Sequence, residues 1–189
     1  MAKLTATKRG KSAIAAVIAA AVGGMVVMSS TVVPDDVALA AQYLNGPWEG
    51  RELRAYPDPA TGGAPWTICD GDTKGVKPGM VETPAGCDRR LVRRMEEFRA
   101  QLVACIPGFD KKPLSWRAMM NSLSYNIGTG AACRSTAARL GIAGRFVESC
   151  NAATAFNKAN GRVFVGLVNR REMGDARRIG EGELCVSGL

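Results

Sequence analysis

From Ser12 to Pro34 the chain runs SAIAAVIAAAVGGMVVMSSTVVP without a charged side chain. A run of that length can span a bilayer as a helix. Lys3, Lys8, Arg9 and Lys11 precede it, and such a basic flank stays on the cytoplasmic side. Its large apolar residues are Ile and Val, diluted by Ala, Gly and Ser, so insertion is only marginally favourable. Two fates fit. One is a cleavable signal peptide, with Ala38-Leu39-Ala40 as a small-x-small site before Ala41. The other is an uncleaved, weakly held anchor. A soluble core helix fits the flanks less well.

Beyond this run the pattern becomes that of a folded domain. Residues 41–50 make a short helix with Tyr43, Leu44 and Trp48, ending at Glu49-Gly50. Residues 51–77 alternate and turn as a small β lobe. Thr83-Pro84 opens a helix, Thr as N-cap and Pro at the first position. Leu91, Met95, Phe98 and Leu102 then recur at helical spacing, which puts Arg89, Arg90, Arg93 and Arg94 on a solvated outer face. Ser115 caps a helix through Trp116, Met119, Met120 and Leu123 to Gly128, and another helix covers 145–158. The Met pair suits core packing. The organisation is an N-terminal segment, 1–40, and one domain, 41–189, with no internal repeat.

Composition narrows the chemistry. The net charge is +8 with no histidine. A basic surface suits a polyanion. No nucleic-acid motif is present, and the acidic peptides of the bacterial cell wall are another polyanion. Without histidine there is no Ser-His-Asp or Cys-His pair and no His-ligated zinc. Zinc amidases and papain-like wall peptidases are therefore excluded. Cys69, Cys87, Cys105, Cys133, Cys150 and Cys185 include no C-x2-C pair, so thiolate zinc is not expected either. Neither a metal nor a cofactor is called for. An even, dispersed set suits disulfides in an oxidising compartment, the alternative being six buried thiols. Of fifteen possible connectivities we expect the sequential one. Cys69–Cys87 would close the β lobe onto the next helix, Cys105–Cys133 would link two helices, and Cys150–Cys185 would staple the C-terminus.

The chemistry-bearing stretch is WEGRELRAYPDPATGGAPWTICDGDT, residues 48–73. Glu49 ends a helical turn and Asp58 follows in a β-hairpin, so two carboxylates can face each other across a cleft. Glycoside hydrolysis commonly needs such a pair, one group protonating the leaving oxygen and the other activating water or attacking the anomeric carbon.

The ordered set Glu-Gly, Tyr-Pro-Asp, then Trp-Thr-Ile-Cys-x-Gly-x-Thr resembles the catalytic start of the phage-type lysozymes, endolysins with a Glu, Asp, Thr triad. The segment SLSYNIGTGAACRST and the run GRVFVGLVNRREMGDA extend the resemblance over residues 43–185. It implies Glu49 as general acid, Asp58 as second carboxylate and Thr67 as the residue that helps place water. It also puts Tyr125 and Asn126 near the cleft floor, Ser135-Thr136 at the start of the next helix, and Arg170 and Arg171 as partners for carboxylates. One departure is visible. Eight residues, Pro59 to Trp66, separate Asp58 from Thr67, where the family has five. Ala60-Thr61-Gly62-Gly63 suits a widened hairpin tip, since paired glycines favour tight turns, and Thr61 is a weaker candidate for the Thr role.

The implied fold is α+β and two-lobed, a small β lobe at roughly 50–80 and a larger helical lobe, preceded by a membrane-inserting helix. The implied activity is hydrolysis of the β-1,4 bond between N-acetylmuramic acid and N-acetylglucosamine in peptidoglycan. Glu49 must be protonated to act as acid, so its site should be partly dry. A lytic transglycosylase would use Glu49 alone, and a wall-binding protein would not need it. Some endolysins of this family carry a signal-arrest-release segment. That resemblance favours the uncleaved reading of residues 12–34, with a monomer tethered at the host inner membrane, facing the periplasm, and later released.

Overall fold

The computed structural model describes residues 3–22, 27–28, 31–57 and 62–189. Helix α1 spans Lys8–Val22. A two-residue pair follows, β1 (Val27–Met28) against β2 (Thr31–Val32). The uncharged run is thus not one continuous helix. A stretch without charged residues offers little periodicity to mark where a helix stops, and β-branched valines favour strands. Among the described residues no helix is long and apolar enough to cross a membrane.

A second helical stretch runs as α2 (Asp35–Ala40), a π-helical turn (Ala41–Asn45) and α3 (Gly46–Trp48). Glu49 is its extended C-cap, as the sequence led us to expect, although the helix starts earlier than residue 41. The β lobe is an antiparallel hairpin, β3 (Glu52–Pro57) with β4 (Trp66–Cys69), in a register that pairs Tyr56 with Thr67 and Pro57 with Trp66. Leu53 and Ala55 pack on Ile68, Cys69 and Cys87.

Helix α4 (Pro84–Cys105) joins the lobes, and the Thr83 side chain accepts the Gly86 N–H. Arg89 and Arg93 are exposed, but Arg90 and Arg94 are half-buried. Arg90 bonds Asp72 and Glu82, and Arg94 reaches Asp72 and Glu97. The acids sit on the β lobe and on α4, so half of the expected outer face fastens one lobe to the other.

The helical lobe comprises α5 (Leu114–Ile127), α6 (Thr129–Arg134), α7 (Thr136–Ile142) and α8 (Phe146–Ala153). After them come a hairpin, β5 (Lys158–Ala159) with β6 (Arg162–Val163), and α9 (Val165–Arg171) and α10 (Glu181–Ser187). Ser135 caps α7 by accepting the Ala138 N–H. Ser115 does not cap α5, whose N-cap is Pro113; its hydroxyl donates to the Cys185 carbonyl instead. Helix α8 is shorter than expected because the chain turns at Asn160-Gly161, where both residues have positive φ, the geometry of a tight hairpin. Trp116, Met119, Met120 and Leu123 are fully buried. A Cβ on Gly141 would overlap the Trp116 ring, so glycine is needed for α7 to close on α5. The cysteines pair as Cys69–Cys87, Cys105–Cys133 and Cys150–Cys185.

The N-terminal segment lies on this lobe. Ala13 and Val17 of α1 share a core with Val33, Val37, Leu39 and Leu184, and Leu4 joins the core around Trp116. A Cβ on Gly10 would overlap Ser187 Oγ, so α1 approaches α10 as closely as only glycine permits. Ser12, Ala15, Ala16 and Ala19 face solvent. Among the described residues Ile18 is the one large apolar side chain of α1 exposed beside them, at 47%, while Ala13 and Val17 turn inward.

Candidate active site

Glu49 sits where the helical stretch breaks into the β lobe. Its N–H still bonds the Asn45 carbonyl at 2.9 Å, so the last turn fixes its backbone while its side chain leaves the helix. Arg170 Nη1 donates to Glu49 Oε1 at 2.7 Å. The Arg170 side chain is only 5% exposed and that of Glu49 21%. The acid is thus partly dry and oriented from behind.

A buried network orients Arg170 in turn. Glu181, at 0% exposure, accepts Arg170 Nε at 3.3 Å, Arg171 Nη1 at 2.5 Å and the Ser122 hydroxyl at 2.7 Å. Burial alone would lower the Arg170 pKa. The carboxylates of Glu181 and Glu49 outweigh it and hold the guanidinium above its ordinary value. Removing one member of such a network leaves a buried charge unmatched.

A cleft of about 450 Å³ opens beside the acid, lined by Glu49, Gly50, Glu52, Tyr56 and Gly71. Thr67 is half-buried on β4, opposite Tyr56. Asp58 and Thr61 lie outside the described residues. Tyr125 and Asn126 are not among the residues lining the cleft. The Tyr125 hydroxyl donates to the Asp70 carbonyl at 2.8 Å, tying α5 to the turn after β4. Its phenol is pushed well up, first by burial and then by the carboxylates of Glu49, Asp72 and Asp70. Asn126 Oδ1 accepts from Arg171. Both residues support the walls of the site through these bonds.

Sequence reasoning did not single out Glu52 and Tyr56. Their signal is the alternation of β3, where Leu53 and Ala55 face the lobe core and Glu52 and Tyr56 take the other side. Glu181 was missed too. Two adjacent arginines call for an acid, but nothing local distinguishes Glu181 from Glu183. Trp48 was placed in the helix without a role; its indole donates to the Ile179 carbonyl at 2.8 Å and Arg178 lies 3.8 Å over its ring. Among the described residues no cluster of His, Cys, Asp and Glu could hold a metal ion.

This site, an acid at a helix end against a β-hairpin, lies where known proteins match. The Phage lysozyme family matches residues 46–174. A SAR-endolysin of Pseudomonas phage phiKMV is 37% identical over 129 residues, 65% of this chain and 76% of its own. A SAR-endolysin of Enterobacteria phage P21 is 28% identical over 177 residues, 90% and 94% of the two chains. Among solved structures, the active form of the P1 phage endolysin Lyz superposes with a TM-score of 0.61 at 25% identity, covering 93% of this chain and 94% of that one. An endolysin from Escherichia coli O157:H7 phage FAHEc1 shares the fold at a TM-score of 0.62 and 24% identity, covering 100% and 97%. The chain belongs to the phage lysozyme family and is an endolysin of the signal-arrest-release kind, a muramidase of host lysis.

Proposed function

We propose that this muramidase cleaves the β-1,4 bond between N-acetylmuramic acid and N-acetylglucosamine with Glu49 as general acid, Asp58 as second carboxylate and Thr67 placing the water. The observation that carries the reading is the 2.7 Å bond from Arg170 to Glu49 Oε1 at the edge of the cleft. A donor on Oε1 puts the transferable proton on Oε2. That proton goes to the glycosidic oxygen as the bond breaks, while water adds at the anomeric carbon and gives up a proton to Asp58. Tyr56 and Glu52 line the path of the sugar strand.

The test uses Glu49→Gln on purified peptidoglycan. The amide cannot supply the proton, so lysis should be lost, at least about a hundredfold, with circular dichroism unchanged. The parent should release reducing sugar ends. Equal lytic rates would remove Glu49 from the role of acid, and anhydro-muramic ends would make the enzyme a transglycosylase.

The N-terminal segment, 1–40, is proposed as the signal-arrest-release element and 41–189 as the catalytic domain. Residues 12–34 hold the monomer at the host inner membrane, facing the periplasm, and then leave the bilayer. Two observations support this. The outward face of α1 carries Ser12, Ala15, Ala16 and Ala19, with Ile18 the large apolar residue among them, so it can face water after release. The likeness to the active form of the P1 endolysin spans 93% of the chain. N-terminal sequencing of periplasmic protein tests it: a start at Ala41 means cleavage, and an intact start means release.

A further inference from the structure

We infer that Arg9 is a positioning residue for Glu49, acting by fastening the 173–180 loop that holds Trp48. The inference rests on Glu49 being the acid. Arg9 Nε and Nη2 each donate to one oxygen of Glu183, both at 2.7 Å. Nη1 donates to the Asp175 carbonyl at 2.7 Å and Nη2 also to the Met173 carbonyl at 2.8 Å. Glu183 is fully buried. It also accepts the Thr7 hydroxyl at 2.6 Å and the Gly180 N–H at 3.3 Å. One guanidinium therefore grips the start of the loop directly and its end through Glu183.

That loop is what Trp48 leans on. Ile179 takes its indole N–H and Arg178 covers its ring. Arg178 is itself held by Asp175 Oδ2, at 2.8 Å from Nε and 2.5 Å from Nη2. Trp48 is the last residue of α3 and Glu49 the next. Glu49 is thus set from both ends of one segment, its carboxylate by Arg170 before the loop and its backbone by Trp48 against the loop's far end. A displacement on the order of 1 Å at a catalytic group costs about a hundredfold in rate. A lysine at position 9 keeps the charge but not the planar fork that reaches a carboxylate and two carbonyls at once. Arg9 belongs to the basic flank of the uncharged run, so the loop receives this cation only when the N-terminal segment lies against α10.

The test is steady-state hydrolysis of purified peptidoglycan by the full chain, for the parent, Arg9→Ala and Arg9→Lys. Trp48 emission is taken as the difference from Trp48→Phe in each background. Melting temperature and near-ultraviolet circular dichroism establish that folded protein is compared. We expect kcat about tenfold lower or more in Arg9→Ala, KM within about twofold, an intermediate kcat in Arg9→Lys, and red-shifted Trp48 emission. Parent kcat in folded Arg9→Ala overturns the inference. So does a loss that merely follows the folded fraction, or an emission shift with kcat unchanged. Should Arg9→Ala not fold, Arg9→Lys bears the same comparison. Glu49→Gln assays the acid separately: if it is inactive while Arg9→Ala keeps parent kcat, only the positioning role fails.

Discussion

The N-terminal segment and the helical lobe share cores but are held in different ways. All three disulfides lie between Cys69 and Cys185. Residues 1–40 contain no cysteine, so no cross-link ties them to the lobe, and the described ones are held by the packing of Leu4, Ala13, Val17, Val33 and Val37, by the grip of Arg9 on Glu183, and by Asp36. That carboxylate is fully buried and paired with Arg99 of α4 and Arg117 of α5. Cross-links restrain the unfolded chain of the lobe whatever the N-terminal segment does. This division of ties suits a release mechanism, in which the segment would leave or arrive while the lobe stays folded.

The largest expected effect is on the covalent side. The Cys150→Ser, Cys185→Ser double variant opens a loop with a sequence separation of 35 and should cost roughly 3–4 kcal/mol. Both positions are fully buried, so imperfect repacking adds to this. Chemical denaturation measures it. A loss near zero would show that the lobe does not depend on its staples.

A smaller effect is expected on the other side. Val17 is 4% exposed, and Val17→Ala removes apolar surface worth roughly 1.5 kcal/mol at about 0.8 kcal/mol per buried carbon group. If docking of α1 is a separate equilibrium, hydrogen exchange in residues 8–22 should speed up while amides of α5 keep their protection. Equal acceleration in both would mean that the two regions open as one.

The same division explains what the sequence made legible. Thr83-Pro84, Ser135 and the cysteines speak through local chemistry or through few alternatives, and the structure places them as expected. Ser115 misled because a hydroxyl near a helix start can cap it or turn inward, and only the position of Cys185 decides. Arg90 and Arg94 misled because a charged helix face looks solvated until the acids of another lobe are placed against it. Within 12–34 every residue is uncharged, so the pattern could show that the segment suits a bilayer but not where α1 ends or which face it turns to α10. Asp58 lies outside the described residues, and its role is assigned by resemblance.

The smallest expected effect is pH-dependent and separates the charge latch from the packing. Burial by itself would raise the Glu183 pKa, but the hydrogen bonds from Arg9, Thr7 and the Gly180 N–H outweigh it and hold the carboxyl below its ordinary value. A depressed acid contributes stability that is complete above its unfolded value, about 4.5, and lost as pH falls through the folded value. Asp36 acts in the opposite sense. Its burial exceeds the pull of Arg117 and Arg99 and raises its pKa, so folding favours its protonated form as the medium becomes acid. The melting temperature of the parent should fall as pH drops below about 4.5, and Glu183→Gln should flatten that fall while lowering stability at neutral pH. The same comparison in an Asp36→Asn background removes the opposing group and should steepen the dependence on Glu183. Unchanged slopes in both would mean that docking rests on the apolar packing of Leu4, Ala13, Val17, Val33 and Val37, and that the Arg9–Glu183 pair contributes geometry but no pH-sensitive stability.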